Sequence, residues 1–225
     1  MNTQMAATLQ LSHDQMLASG TQRTIYRHPT DPEKLVKVLR DIPLTTGRAR
    51  LATLTERYLP RMRQRWARKE YQEYLRLMLG PWQAPFTSPI SHMYGFVQTN
   101  LGLACLTDAV LDHDNLGETL KAKTTDKPLS AVDLALLNET IDRLYRYDIR
   151  AGDMTARNFV FGHRKIGGVE GARECVLVDG FGDIHAIPIR SWGRFFNRFG
   201  LDDGCKRLAH RTGLTWNNNT RQFTL

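Results

Sequence analysis

Apolar positions fall into short alternating runs over the first half of the chain and into helical stripes over much of the second. Leu17 to Pro29 reads as strand, glycine turn and strand, with Gly20 in the turn. Asp31-Pro-Glu-Lys makes the next turn, and Leu35-Val-Lys37-Val-Leu39 is a short strand with one charge inside it. Trp66 to Leu79 has helical spacing, with Ala67, Tyr71, Tyr74, Leu75 and Met78 on one stripe. After a Pro-rich connector, Met93–Val97 and Leu103–Thr107 form a hairpin that continues through Asp108 to Val110. Ser130 caps a helix whose Leu134, Leu137, Ile141 and Leu144 share a face. Ile184–Ile189 is extended, and Trp192, Phe195, Phe196 and Phe199 then make an aromatic helix face expected in the core. The tail from Asn217 reads as weakly ordered. Strands first and helices later predict an α+β protein.

Asp148 to Asp183 organises the rest. Phe159–Phe161 and Val176–Val178 are two apolar runs joined by a Gly-rich charged turn. Paired as a hairpin, they bring Asn158, just before the first run, and Asp179, just after the second, to one end of a sheet. Asp153 lies in the loop that leads into Asn158. A carboxylate that orients a hydroxyl, with an amide and a second carboxylate for Mg2+, is the equipment of metal-assisted phosphoryl transfer.

Charge adds a partner class. The net charge is +8 and the pI about 9.6, which favours an anionic partner. The cations concentrate in a strip from Arg48 to Lys69, opposed only by Asp41 and Glu56 within residues 40–69. The strip is either a solvated helix face or a patch for an anionic partner, and it lacks the aromatic interleaving of a single-strand binder. Nucleic acid is therefore not the expected ligand. Arg190, Arg194 and Arg198 form a second stripe, solvated or facing an acidic partner or membrane surface. Three widely spaced cysteines without C-x-x-C point to a reducing cytosol. No signal pattern and no apolar run of spanning length occurs, so a cytoplasmic protein is expected.

The motifs resemble those of protein kinases. Asp153-Met-Thr-Ala-Arg-Asn158 is similar to the catalytic loop D-L-x-x-x-N, and Asp179-Gly-Phe to a variant of the D-F-G metal turn. This resemblance implies that Lys37 binds the α- and β-phosphates, and that a helix glutamate pairs with it. Glu70 fits that place, with Glu73 as the alternative. It further implies that Gly20 lies over the phosphates, that the backbone at Asp108 and Val110 meets adenine, and that Asp183 assists the metal site. Over most of residues 17–200 the chain also resembles the YrbL family of bacterial proteins, named for the PhoP regulatory network. The matching pieces are Gly20 to Pro29, Leu35-Val-Lys-Val, Lys69-Glu-Tyr, Gly95-Phe-Val97, Asp153 to Asn158, Asp179 to Asp183 and Ile187 to Trp192. The family implies a protein-kinase-like fold.

The departures narrow the expectation. Ala151-Gly152 replaces the His-Arg before the catalytic Asp, and Thr155 stands where many Ser/Thr kinases carry Lys. Arg157 is placed to reach the γ-phosphate instead. About forty residues follow the metal turn, with no A-P-E segment, which leaves little room for a peptide-binding lobe. The expectation is a minimal bilobal kinase-like fold, with an N-lobe over 11–107 and a C-lobe over 108–225. Its function would be ATP/Mg2+-dependent phosphotransfer to a protein, small-molecule or sugar acceptor. The rivals are a nucleotide-binding pseudokinase scaffold and a basic nucleic-acid-binding regulator.

Overall fold

The computed structural model describes residues 8–20, 23–40, 65–83, 86–113, 115–166, 168–183 and 189–225. Most of the basic strip and most of the extended stretch after Asp183 lie outside these residues, as does most of the N-terminal ten. The described chain forms two compact units. One comprises the residues up to Ala67 with Met93–Ala109, and the other Arg68–His92 with Val110–Leu225.

The first unit is an antiparallel sheet. Its strands are β1 (Met16–Ser19), β2 (Arg23–Arg27), β3 (Lys34–Leu39), β4 (Met93–Thr99) and β5 (Gly102–Asp108), in the order β1-β2-β3-β5-β4. Each predicted hairpin is present. Gly20 closes the first, its N–H donating to Arg23 O at 2.8 Å. Alternation along β3 sends Val36 and Val38 to one face, where they pack with Leu11, Tyr26 and Ala104. Lys37 points to the other face, in register with Ile25 on β2 and Cys105 on β5.

The second unit starts on α1 (Arg65–Met78), which the sequence placed with the N-terminal lobe. The helix and its connector are held there by long-range bonds. Arg76 on α1 donates to the carbonyls of Tyr147 and Asp148, and Arg164 donates to those of Ser88 and Ile90. The buried stripe of α1 is corrected. Ala67, Glu70, Glu73, Tyr74 and Leu77 face inward, whereas Leu75 is exposed. Two glutamates occupy inward positions, so hydrophobic periodicity selected a stripe rotated away from the true one.

The hairpin that frames the motifs forms as expected. After β6 (Val110–Asp112), β7 (Asn115–Leu116), β8 (Glu118–Thr119), α2 (Leu120–Lys123) and α3 (Ala131–Arg146) come β9 (Phe159–Ile166), β10 (Val169–Glu170) and β11 (Glu174–Leu177). β9 and β11 are antiparallel with Phe159 opposite Leu177 and Val160 opposite Val176. Val178 N–H then donates to Asn158 O at 2.8 Å, which extends the pairing to the doorstep of Asp179. Ser130 caps α3, its Oγ accepting from Asp133 N–H, and Leu137, Ile141 and Leu144 are fully buried. Burial works against the Asp133 carboxylate, but hydrogen bonds from Ser130, Lys123 and Arg173 outweigh it and hold its pKa below the usual value.

The C-terminal part departs from expectation twice. On α4 (Arg194–Thr212) the buried face is Asn197, Leu201, Gly204, Cys205 and Leu208, not the aromatics. Phe195 is 78% exposed and Phe199 72%, while Arg190, read as part of a surface stripe, is buried in the 3-10 turn before the helix. The small and aliphatic residues lie where the helix meets the rest of the unit, and the aromatics lie opposite. The tail is ordered, as β12 (Thr215–Asn217) and β13 (Gln222–Thr224). Its polar run is a turn in which Asn217 Oδ1 accepts from the N–H groups of Asn219 and Thr220. Asn138 on α3 clamps the returning strand, accepting from Phe223 N–H at 2.7 Å and donating to Phe223 O at 2.9 Å. The three cysteines are buried and form no disulfide, and burial raises the pKa values of Cys175 and Cys205. No described helix is long and apolar enough to cross a membrane.

Candidate active site

Asp153, Asn158 and Asp179 are joined by a hydrogen-bonded loop in the second unit. Asp153 N–H donates to Gly180 O at 3.0 Å, and Thr155 N–H and Asn158 Nδ2 both donate to Asp153 O, at 3.1 and 2.9 Å. Asn158 N–H donates in turn to Thr155 O at 2.9 Å. These bonds make a tight turn that presents the exposed Asp153 carboxylate beside the half-buried Asn158 amide. A carbonyl partner demands the NH2 end of Asn158, so its Oδ1 is the end left to accept or to ligate.

The Asp179 turn closes the arrangement. Asp179 Oδ1 accepts from Gly180 N–H at 2.7 Å, and Glu70 Oε1 lies 3.3 Å from the same N–H. Gly180 has φ of +79° and Gly182 +95°, a region open to glycine. A Cβ on Gly180 would drive into Asp153 O, and one on Gly182 would stand 2.8 Å from Lys69 O. The two glycines therefore let the turn lie against both the Asp153 loop and the α1 backbone. Phe181 between them is buried, and Ala151 pairs with it through a β-bridge. Gly182 N–H donates to Arg150 O at 2.6 Å. The segment before Asp153, Arg150 and Ala151, is thus joined to the Phe181–Gly182 turn through its backbone.

Glu70 and Glu73 separate cleanly. The Glu73 carboxylate binds Arg76 Nη2 at 2.6 Å, Arg150 Nη1 at 3.0 Å and Arg150 N–H at 2.9 Å. It anchors the chain entering the Asp153 loop, which leaves Glu70 as the glutamate at the Asp179 turn. Glu73→Ala should lower unfolding stability by roughly 3–5 kcal/mol, because Glu73 is buried and its loss strands Arg150 and a backbone N–H. Chemical denaturation checks this, and a loss under about 1 kcal/mol would contradict the anchoring role.

Sequence reasoning missed two further supports. Asn197 is fully buried on α4, and its Nδ2 donates to Asp148 Oδ1 at 2.9 Å and Ile149 O at 3.2 Å. Asp148 itself has φ of +51°. Gly204 makes room for Met154, whose Sδ would lie 2.8 Å from a Cβ there. The available signal was an Asn and a Gly interrupting a helix otherwise rich in aromatics and charge.

The remaining candidates divide between the two units. Lys37 is 3% exposed in β3, and Gly20 and Asp108 are also in the first unit. Val110 begins β6, its side chain packed with Val160 and Val176 and its carbonyl accepting from Gly117 N–H at 2.9 Å. Arg157 is exposed beside Asn158. Asp183 is buried, and its Oδ2 accepts from Ser191 N–H and Oγ at 2.9 and 3.0 Å. Asp183 Oδ1 has no hydrogen-bond partner among the described residues.

The fold is α+β, a sheet-rich N-terminal unit followed by a unit carrying the helices and the motif hairpin. The chain belongs to the family of PhoP regulatory network protein YrbL, which matches residues 9–213. No curated protein matches it in sequence. Its backbone is similar to that in a crystal structure of Rad53 1-466 in complex with AMP-PNP, at 11% identity and a TM-score of 0.46, covering 87% of this chain and 46% of that one. It is also similar to the BubR1 kinase domain, at 13% identity and a TM-score of 0.49, covering 93% of this chain and 65% of that one.

Proposed function

We propose that the chain is a kinase-like phosphotransferase that moves the terminal phosphoryl group of ATP to a hydroxyl acceptor with the help of Mg2+. The observation that carries this reading is the Gly180 turn, whose carbonyl accepts from Asp153 N–H in the Asp153–Asn158 loop while its N–H is held by the Asp179 carboxylate. Asn158 Oδ1 and the Asp179 carboxylate are hard oxygen donors and fit Mg2+, which takes one or two protein ligands and fills its shell from phosphates and water. Among the described residues no larger cage of three or more His, Cys, Asp or Glu occurs. When bound, Mg2+ would neutralise charge on the transferring phosphoryl group.

The side chains supply the rest. Asp153 is exposed and held by its own backbone, so its carboxylate can orient the acceptor hydroxyl and receive its proton. Lys37 would hold the α- and β-phosphates, and Arg157 would reach the γ-phosphate. Positioning and charge neutralisation account for most of the rate, as phosphoryl transfer asks little covalent chemistry of the protein.

The test is ATP turnover by wild type and Asp153→Asn, with Mg2+ and with a chelator. Turnover should need the metal and fall about a hundredfold in the variant, with nucleotide affinity retained. Equal turnover in both would sink the assignment. The Ala151-Gly152 replacement favours one second reading, a nucleotide-gated scaffold, and wild type that binds Mg2+·ATP without turning it over would establish that instead.

A further inference from the structure

The aromatic cluster at the start of α4 has no place in the core and none in the proposed chemistry. Trp192 is 65% exposed, Phe195 78%, Phe196 42% and Phe199 72%. The rings pack on one another edge to face, Trp192 on Phe196 at 6.0 Å and Phe195 on Phe196 at 5.7 Å. Four adjoining aromatics held in water are costly, and a contiguous apolar patch of this kind marks an interaction site. Helical spacing places Phe195 and Phe199 on the side of α4 opposite Asn197, Leu201 and Leu208. They therefore project outward from the unit.

Charge identifies the occupant. Arg194 and Arg198 are exposed within the same two turns, and Lys206 and Arg211 continue the cationic character to the end of the helix. Of the two acids on α4, Asp203 is paired with Arg207, and Asp202 accepts from Tyr145 Oη at 2.6 Å. Projecting rings flanked by arginines suit a soft anionic interface. Lipid headgroups and upper acyl chains mould around protruding side chains, whereas a folded partner needs preformed sockets for each. Tryptophan at the edge of the cluster is a residue type that settles at the membrane–water boundary, and the arginines beside it suit anionic headgroups.

We infer that the outer face of α4, with Trp192, Phe195, Phe196 and Phe199 as the inserting group and Arg194 and Arg198 as the headgroup contacts, seats the protein on an anionic lipid surface. The seat is not isolated from the candidate site. Asp183, four residues after Asp179, holds Ser191, the neighbour of Trp192, through both its N–H and its hydroxyl. The inference nevertheless stands on the surface alone and does not require phosphotransfer.

The experiment is cosedimentation of the full chain with vesicles of phosphatidylcholine, or of phosphatidylcholine mixed with phosphatidylglycerol. The mixed vesicles should bind the protein and the neutral ones should not. Arg194→Gln/Arg198→Gln should weaken binding roughly thirtyfold, from about 1 kcal/mol for each arginine at the surface. Phe195→Ser/Phe199→Ser should abolish sedimentation while leaving thermal unfolding nearly unchanged, as both rings are mostly exposed. Absence of binding to the mixed vesicles would overturn the inference, and so would full binding by the phenylalanine variant. Soluble polyglutamate that binds through the same phenylalanines, with no vesicle binding, would replace lipid with an acidic protein. A phenylalanine-dependent dimer with no vesicle binding would replace it with a second copy of the chain.

Discussion

Asp179→Asn should cut Mg2+-dependent ATP turnover on the order of a thousandfold, the equivalent of several kcal/mol of charge stabilisation lost from the transition state. Asparagine separates two duties of this residue. Its Oδ1 can keep the 2.7 Å bond from Gly180 N–H, so the turn stays formed. The amide then presents an NH2 where the second carboxylate oxygen was, and a donor repels a cation. Alanine would confound the result, because it also removes an acceptor from the buried Gly180 N–H. Calorimetric titration gives the second readout. The variant should bind ATP alike with and without Mg2+, while wild type should bind Mg2+·ATP more tightly. A variant that keeps wild-type turnover would remove Asp179 from the metal site, and with it the proposed chemistry.

The sequence disclosed the motif hairpin because its signals are local. Phe159–Phe161 and Val176–Val178 are apolar runs with a turn between them, and pairing them places Asn158 and Asp179 together without further information. The helix stripe on α1 was misread because two of its inward residues, Glu70 and Glu73, carry charge. Their partners at Gly180 and Arg150 lie far along the chain, and periodicity cannot see them. The same limit hid Asn197, whose partner Asp148 is distant in sequence. On α4 the error has another origin. The aromatics were assigned to the core because they share one helix face, yet the contact surface selected Leu201, Gly204 and Cys205, with Met154 in the space that Gly204 leaves. In the tail, a run of asparagines resembles disorder by composition but forms an Asx turn once Asn138 holds Phe223. The glycine of Asp179-Gly-Phe is what makes the turn a variant of D-F-G. The structure gives it a positive duty, because only that residue lets the turn close on Asp153.

Gly180→Ala should be the most damaging single-methyl change in the candidate site, and three glycines allow its cause to be apportioned. Gly193 precedes α4 with φ of 163°, extended backbone that any residue adopts, and a Cβ there meets nothing within 4 Å. Gly193→Ala should leave stability unchanged to within about 0.5 kcal/mol. Gly213 ends α4 with φ of +73° and open space around a Cβ, so Gly213→Ala incurs backbone strain alone, about 1 kcal/mol. Gly180 has a similar φ, but its Cβ would collide with Asp153 O and stand 2.8 Å from Asn158 Nδ2. Strain and overpacking together should cost roughly 2–4 kcal/mol, which lowers the melting temperature by about 5–15 °C. Relief can come only by moving the Asp153 carbonyl, the atom to which Asn158 is fastened. Gly180→Ala should therefore lose nearly all turnover even at temperatures where it is fully folded, whereas Gly213→Ala, weakened by strain of the same kind, keeps it. Melting curves and turnover measured on the three variants check both orders. If Gly180→Ala were no more disruptive than Gly213→Ala, the close approach of the Asp179 turn to the Asp153 loop would not be the constraint that shapes this site.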